Sequence, residues 1–298
     1  MSQQFPHTDP NGLLEYSVVF SDRSVNHMSQ LFQQAMRDIS SSLARVYNAE
    51  TVTVIPGGGS FGMEAIARQY AHDQKCLVIR NGWFSYRWSQ IFDMGNIPAS
   101  TTVLTARPVA EGAQQPWQPA PIEEVEQAIR EKKPDLVFAP HVETASGMIL
   151  PDDYIQRVGA AVHEHGGLFV LDCIASGSMW IDMQASNVDV LLSAPQKGWS
   201  STPCAALIML NKTATDRLAA TQSSSFAGDL KRWRGIMQAY ENGGHAYHAT
   251  MPTEALISLR DSINDTLDFG LENARSAHLE LGTRVRSLLA DNGYPSVA

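Results

Sequence analysis

Two charged residues in this sequence stand where α/β proteins do their chemistry. Lys197 closes the segment Val188-Asp-Val-Leu-Leu-Ser-Ala-Pro-Gln-Lys197, and Asp172, 25 positions upstream, closes Gly167-Leu-Phe-Val-Leu-Asp172. Each follows a short continuous apolar run, the pattern of a strand buried on both faces of a parallel sheet. Loops at the carboxyl ends of such strands form ligand crevices. A lysine amine there can form a Schiff base with a carbonyl. A carboxylate can hold a protonated pyridine nitrogen, and the two together are the protein groups that pyridoxal phosphate chemistry most needs. A lysine after a strand is more often a solvated loop residue. Here Ser193, Pro195, Gln196, Gly198 and Trp199 form a compact turn around it, and the chain re-enters an apolar run at Cys204–Leu210, so the lysine lies between two core strands.

A second motif sits earlier in the chain. The apolar run Thr51–Ile55 leads into Pro56-Gly57-Gly58-Gly59-Ser60-Phe61-Gly62-Met63-Glu64, and Gly57, Gly59 and Gly62 satisfy the spacing of a dinucleotide fingerprint. The next strand, Cys76–Ile79, ends in Arg80-Asn81 in place of the acid that binds a ribose hydroxyl; Arg80 could accommodate a 2′-phosphate, which leaves NADP open, and a dehydrogenase is the least favoured reading. The same small residues can let backbone N–H groups and a helix N-terminus close on a single phosphate, with Ser60 adding a hydroxyl.

These residues need a scaffold, and the hydrophobic pattern supplies one. Met28, Leu31, Phe32, Met36, Ile39 and Leu43 fall on one helical face. Strands are expected at Thr51–Ile55, Cys76–Ile79, Ser100–Leu104, Leu136–Ala139 and at the two runs ending in Asp172 and Lys197. Between them helices are expected at Ser60–Ala71, Tyr86–Met94, Pro121–Lys132 and Pro151–Glu164. This alternation predicts a three-layer α/β fold, a mainly parallel sheet between helices. From Thr253 to Asp291 the pattern turns helical, with Leu256, Leu259, Ile263 and Leu267 on one stripe, which marks a change of domain. The expected organisation is an arm over residues 1–20, a large domain over 21–252, and over 253–298 a linking helix with the beginning of a smaller, incomplete C-terminal domain.

Composition narrows the function. The 298 residues carry 22 Lys and Arg against 31 Asp and Glu, a net charge of −9, and no basic block that would track a nucleic acid. Cys76, Cys173 and Cys204 lie far apart in apolar runs, which fits buried thiols in a reducing compartment and not a disulfide framework or a zinc site. His245, Tyr247 and His248 cluster without a carboxylate or cysteine at metal spacing, so no metal is expected. His163 and His165 read as surface residues at a helix end. No apolar run is long enough to span a membrane and no secretory leader is evident, so a cytoplasmic protein is expected.

In their order along the chain these motifs resemble the class V aminotransferases of pyridoxal-phosphate fold type I, most closely the alanine or serine:glyoxylate (or pyruvate) branch. The likeness runs from about Leu13 to the end of the chain. Gly58-Gly59-Ser60 followed by Met63-Glu64-Ala65 is similar to the family's phosphate loop. Asn81-Gly82-Trp83-Phe84 resembles its Asn-Gly-x-aromatic turn, which implies that Phe84 stacks on the pyridine ring. His141-Val-Glu-Thr144-Ala-Ser-Gly147 resembles the segment whose hydroxyl touches the cofactor, which assigns Thr144. The likeness also implies that Asp172 is the pyridinium partner, Gln196 a phosphate contact and Lys197 the Schiff-base lysine. Tyr247-His-Ala-Thr250 is similar to a Tyr-x-x-Thr segment that reaches the cofactor phosphate of a neighbouring subunit, which implies a homodimer with shared sites.

The resemblance therefore implies an aminotransferase that uses pyridoxal 5′-phosphate to move an amino group from alanine or serine to glyoxylate or pyruvate. Its alternatives are a lyase of the same fold and a truncated chain that binds the cofactor without turnover. A desulfurase would need a cysteine in a mobile loop, and none of the three cysteines lies in one. The sequence departs from the family at its opening, where Asn11-Gly12-Leu13-Leu14 replaces a Gly-Pro-Gly turn, and the family's carboxylate-clamping arginine has no assigned counterpart in it.

Overall fold

The computed structural model describes residues 25–112 and 115–298. The arm expected over residues 1–20 lies outside them. The first half of the chain builds α1 (Gln30–Tyr47), β1 (Thr51–Pro56), α2 (Gly59–Tyr70), β2 (Lys75–Arg80), α3 (Trp83–Gly95), β3 (Ser100–Thr105), the short pair β4 (Arg107–Pro108) and β5 (Trp117–Gln118), and α4 (Ile122–Lys132). There follow β6 (Leu136–Pro140), the short pair β7 (Val142–Glu143) and β8 (Met148–Ile149), α5 (Asp152–His163), β9 (Leu168–Asp172), β10 (Val190–Ser193) and β11 (Ala205–Leu210). Four helices complete the described chain: α6 (Lys212–Ala220), α7 (Leu230–Glu241), α8 (Thr253–Phe269) and α9 (Leu271–Asp291).

Among the described residues the central sheet has seven strands in the order β1-β11-β10-β9-β6-β2-β3. Every residue of β6, β9, β10 and β11 is buried. Both faces of the sheet are therefore covered by helices, as continuous apolar strands require. All neighbouring strands run parallel except at β11, which is antiparallel to both β1 and β10. The cause is the link from Ser193 to Ala205: it contains no helix, and a parallel return needs a crossover of a dozen residues or more, usually helical. The chain therefore turns back on itself, with Lys197 in the turn.

Local chemistry sets the helix limits. Ser29 caps α1 by accepting the Phe32 N–H at 3.2 Å, and Phe32, Met36, Ile39 and Leu43 behind it are buried. α1 ends at Asn48, whose φ of 53° is the left-handed conformation that asparagine tolerates. α3 starts at Trp83, three residues before the expected Tyr86, because a partner distant in sequence caps it. Glu143 accepts the N–H groups of Phe84 at 3.1 Å and Ser85 at 2.8 Å. Phe84 consequently stands in the first turn of a helix and not in a loop.

At the far end, α8 buries Leu256, Leu259 and Ile263 and packs along α1, where Arg260 reaches Asp38 at 3.4 Å. None of α9 is buried. His163 and His165 are near the surface but partnered: His163 Nε2 lies 2.8 Å from the buried carboxylate of Asp189, and His165 Nε2 2.8 Å from the Pro134 carbonyl. Among the described residues no helix is long and apolar enough to cross a membrane.

Candidate active site

Parallel register brings the strand ends to one edge. Asp172 is level with Pro140 at the end of β6 and with Leu192 near the end of β10. At this edge a cleft of about 200 Å³ opens, lined by Gly59, Ser60, Phe84, Thr144, Asp172, Gln196 and Lys197. These residues come from five separate segments of sequence. Gly58 stands beside them as the residue preceding α2. Tyr247 and Thr250 do not line the cleft of their own chain; Tyr247 is 65% exposed, and its hydroxyl lies 3.5 Å from that of Thr250. A larger cleft of about 640 Å³, between Trp83, Trp117 and Val297, has no lysine and no carboxylate among the described residues of its lining.

Lys197 is exposed at the mouth of the cleft, and its turn is held from behind. Trp199 is fully buried, packed on Trp180 with ring centres 4.5 Å apart and edge-on to Tyr47 at 6.3 Å. The Ser200 and Ser201 N–H groups close the turn onto the carbonyls of Lys197 at 3.2 Å and Pro195 at 3.1 Å. An aromatic two positions on from the amine thus fixes the backbone while the side chain stays free.

Asp172 is the opposite case. Only 7% of it is exposed, Oδ1 accepts the Ile174 N–H at 2.9 Å, and Oδ2 has no donor among the described residues. Burial pushes its carboxyl up to about 6, with the Ile174 hydrogen bond pulling the other way and the nearby Glu143 charge adding to the rise. A carboxylate in this setting gains strongly from a cation brought to Oδ2.

The start of α2 offers donors. Phe61 and Gly62 donate to the Gly58 carbonyl, but the N–H groups of Gly58, Gly59 and Ser60 have no acceptor among the described residues. Gly59 leaves no room for a side chain, since a Cβ there would sit 2.5 Å from Ile174 Cδ1. Gly62 owes its identity to packing of α2 on the sheet, where a Cβ would meet Ala206 and Leu192 at 2.6 Å. Two of the three glycines of the dinucleotide-like spacing are therefore explained by close contacts within the fold.

Residues 13–297 match the family described as Aminotransferase class-V. The chain belongs to the class-V aminotransferase family. Its relatives include the alanine–glyoxylate aminotransferase of Rattus norvegicus, 27% identical over 91% of this chain and 64% of the relative. The L-aspartate–glyoxylate aminotransferase of Paracoccus denitrificans is 27% identical over 89% of this chain and 64% of its own. The class-V chain thus spans a little under two thirds of the length of these relatives. In fold it is similar to a crystal structure of alanine–glyoxylate aminotransferase from Nostoc sp., with a TM-score of 0.77 at 23% identity, covering 90% of this chain and 68% of that one. It is similar also to pyridoxamine–pyruvate aminotransferase from Mesorhizobium loti, with a TM-score of 0.76 at 16% identity over 89% and 65%.

Two residues without a role in the sequence motifs shape the class-V cleft, Glu143 from behind the start of α3 and Arg87 in the lining. Glu143 is fully buried and joins the β7 segment to α3: besides the Phe84 and Ser85 N–H groups it accepts the Ser85 hydroxyl at 2.7 Å and the Ala145 N–H at 3.2 Å. The approach requires glycine at position 82, where a Cβ would fall 2.7 Å from Glu143 Cγ. Its sequence signal is an acid one residue before Thr144 in a segment otherwise free of charge. Arg87 lies one helical turn beyond Phe84, the spacing at which helix residues meet on one face. It donates to Ser60 Oγ at 2.7 Å and lines the cleft. The expectation that α3 begins at Tyr86 conceals this spacing.

Proposed function

We propose that this chain is the cofactor-binding part of a pyridoxal-phosphate-dependent aminotransferase, moving an amino group from a small amino acid such as alanine or serine to glyoxylate or pyruvate. The observation that carries the reading is the cleft in which Lys197 and the buried Asp172 come together with Phe84 and the open start of α2. Glyoxylate or pyruvate is the acceptor in the names of relatives from rat, Paracoccus denitrificans and Syntrophobacter fumaroxidans, which supports this acceptor class.

Unsatisfied groups support the fit to pyridoxal phosphate. Asp172 Oδ2 is free for a pyridinium N–H, and the N–H groups of Gly58, Gly59 and Ser60 are free for a phosphate. The Gln196 amide oxygen is buried without a partner among the described residues, in a side chain whose oxygen and nitrogen exchange on a flip. In this reading Gly58, Gly59, Ser60 and Gln196 hold the phosphate, Phe84 the ring face, Thr144 the ring oxygen and Asp172 the ring nitrogen. Bound there, the cofactor supplies an electron sink for the carbanion at the substrate Cα. Lys197 Nζ would hold the cofactor's aldehyde carbon at rest and, once the substrate's amine has taken its place and freed it, would move the Cα proton. Asp172 keeps the ring nitrogen protonated, and Phe84 fixes the plane of the ring.

The exposure of Tyr247 and its absence from its own cleft support a homodimer in which Tyr247 and Thr250 of the partner subunit complete the phosphate site. Residues 21–252 then form the cofactor domain, and 253–298 the link to a second, smaller one. The buried cysteines support a reducing compartment such as the cytoplasm and speak against a thiol-based desulfurase: burial pushes the Cys76 thiol up to about 12 and that of Cys204 up to about 11.

The test is a panel of amino donors and 2-oxo acid acceptors, with Lys197→Ala as control. The expected result is turnover that requires both partners, and loss of turnover and of the bound cofactor's visible absorbance in the variant. Consumption of the donor without any acceptor makes the protein a lyase, and a fully active Lys197→Ala removes the assignment.

A further inference from the structure

Arg87 projects from the second turn of α3 toward the start of α2, and three observations define its state. Its Nη1 donates to Ser60 Oγ at 2.7 Å. Its guanidinium carbon lies 5.2 Å from the centre of the Phe84 ring, so an aromatic face supports the fork. No carboxylate among the described residues pairs with it, whereas Arg68, Arg107, Arg157, Arg234 and Arg260 each have an acidic partner. Asp172, the acid that shares the cleft, is occupied at Oδ1 by Ile174 and feels the Arg87 charge, which pulls its carboxyl downward, but the two make no ion pair within the described residues. The cleft therefore holds a positioned guanidinium with donors to spare.

The charges in the lining point to what those donors are for. Lys197 and Arg87 are the cations and Asp172 the anion. With Lys197 committed to an aldehyde and Asp172 to a ring nitrogen, Arg87 is the charge left for an anion. Its contact with Ser60 puts that charge beside the free N–H groups of Gly58, Gly59 and Ser60. A planar guanidinium with several N–H donors matches phosphate oxygens better than any other side chain, and charge-assisted bonds of this kind are roughly twice as strong as neutral ones.

We propose that Arg87 is the cation that anchors the cofactor's phosphate, held in place by Ser60 and Phe84 and acting with the start of α2. This rests on the reading of the cleft as a pyridoxal-phosphate site and adds to it a residue outside the phosphate loop. The guanidinium also couples two parts of the cofactor site, because the residue that binds the phosphate braces the ring platform Phe84.

The proposal is tested by equilibrium titration of the cofactor-free chain with two aldehydes, pyridoxal 5′-phosphate and pyridoxal, which differ only in the phosphate. Wild type, Arg87→Ala and Arg87→Lys are compared through the absorbance of the Lys197 adduct. Loss of one charge-assisted anion contact predicts that Arg87→Ala weakens the phosphorylated aldehyde about 10- to 100-fold. Pyridoxal binding should change by less than about twofold, with Arg87→Lys in between. Inorganic phosphate should compete with the phosphorylated aldehyde more weakly in Arg87→Ala than in wild type. Equal weakening of both aldehydes would give Arg87 a purely structural role and overturn the proposal. So would unchanged affinity for both, and unchanged affinity with a raised KM for the amino acid would assign Arg87 to the substrate carboxylate. If wild type binds neither aldehyde, the cofactor reading itself falls, a result distinct from each of these.

Discussion

Replacing Asp172 with asparagine should make the cofactor-free protein more stable and the loaded protein worse. The side chain is 7% exposed, and burial raises its carboxyl from the ordinary 3.8 to about 6. An acid whose native value lies above its unfolded one binds its proton more tightly when folded. The cost that Asp172 imposes on native stability is therefore absent below about pH 3.8, grows as pH rises from there to about 6, and stays in full above that. A difference of about two pH units at 1.36 kcal/mol each gives a cost of about 3 kcal/mol at neutral pH. The amide would remove the charge and keep an oxygen for the Ile174 N–H, which Asp172 now accepts at 2.9 Å. At pH 8 Asp172→Asn should melt about 5 °C above wild type when both are free of cofactor. The gap should close toward pH 4. Adding pyridoxal phosphate should reverse the order, because the pyridinium restores to Asp172 what burial took and forms no ion pair with a neutral amide. Thermal melts at pH 4, 6 and 8, with and without cofactor, measure both proteins in both states. Identical melting of the two cofactor-free proteins at pH 8 would refute the burial argument, and equal cofactor stabilisation in both would remove Asp172 from the ring nitrogen.

Two further perturbations follow from the geometry. Glu143→Ala strips the cap from α3 and leaves the buried Ser85 N–H without its acceptor, so denaturant unfolding should show a loss of about 3 kcal/mol. The same change frees Phe84 and should weaken cofactor binding, while Glu143→Gln, which retains one acceptor oxygen, should lose less on both measures. His163 is raised above its ordinary value by the hydrogen bond to Asp189, with burial opposing. A histidine raised in the native state contributes stability that is complete below about pH 6.5 and is lost as pH climbs through the native value. Denaturation midpoints at pH 5.5 and 8.5 should therefore differ more in wild type than in His163→Gln; equal differences would show that the pair carries no pH-dependent stability.

How much of this was legible follows from which interactions are local. The buried strand ending at Asp172 and the one leading into the Lys197 turn, which stops at Ser193, were readable because continuous apolar runs suit a sheet covered on both sides, and strand ends in such sheets face one edge. Two features escaped because their causes lie elsewhere in the chain. The start of α3 depends on Glu143, 58 residues from the Ser85 N–H that it caps, and no pattern within Trp83–Met94 announces it. Misplacing that start by one turn hid the pairing of Phe84 with Arg87. The reversal of β11 was within reach, since the link from Ser193 to Ala205 shows no helical periodicity and a helix-free link that short favours an antiparallel return.

The cleft is consequently a junction of segments that neither the glycine-rich start of α2 nor the lysine specifies alone. Glu143 fixes the first turn of α3, that turn places Phe84, and the next places Arg87 on Ser60 at the start of α2. A defect introduced at Glu143 should thus reach the start of α2, the proposed phosphate loop, through α3 without altering any residue assigned to the cofactor. Substitutions at Glu143 and Arg87 should then be less than additive in their effect on pyridoxal phosphate affinity, because both act through the placement of one guanidinium. Strict additivity in the double variant would separate the two residues and refute a coupling through α3 between the proposed ring platform and the proposed phosphate site.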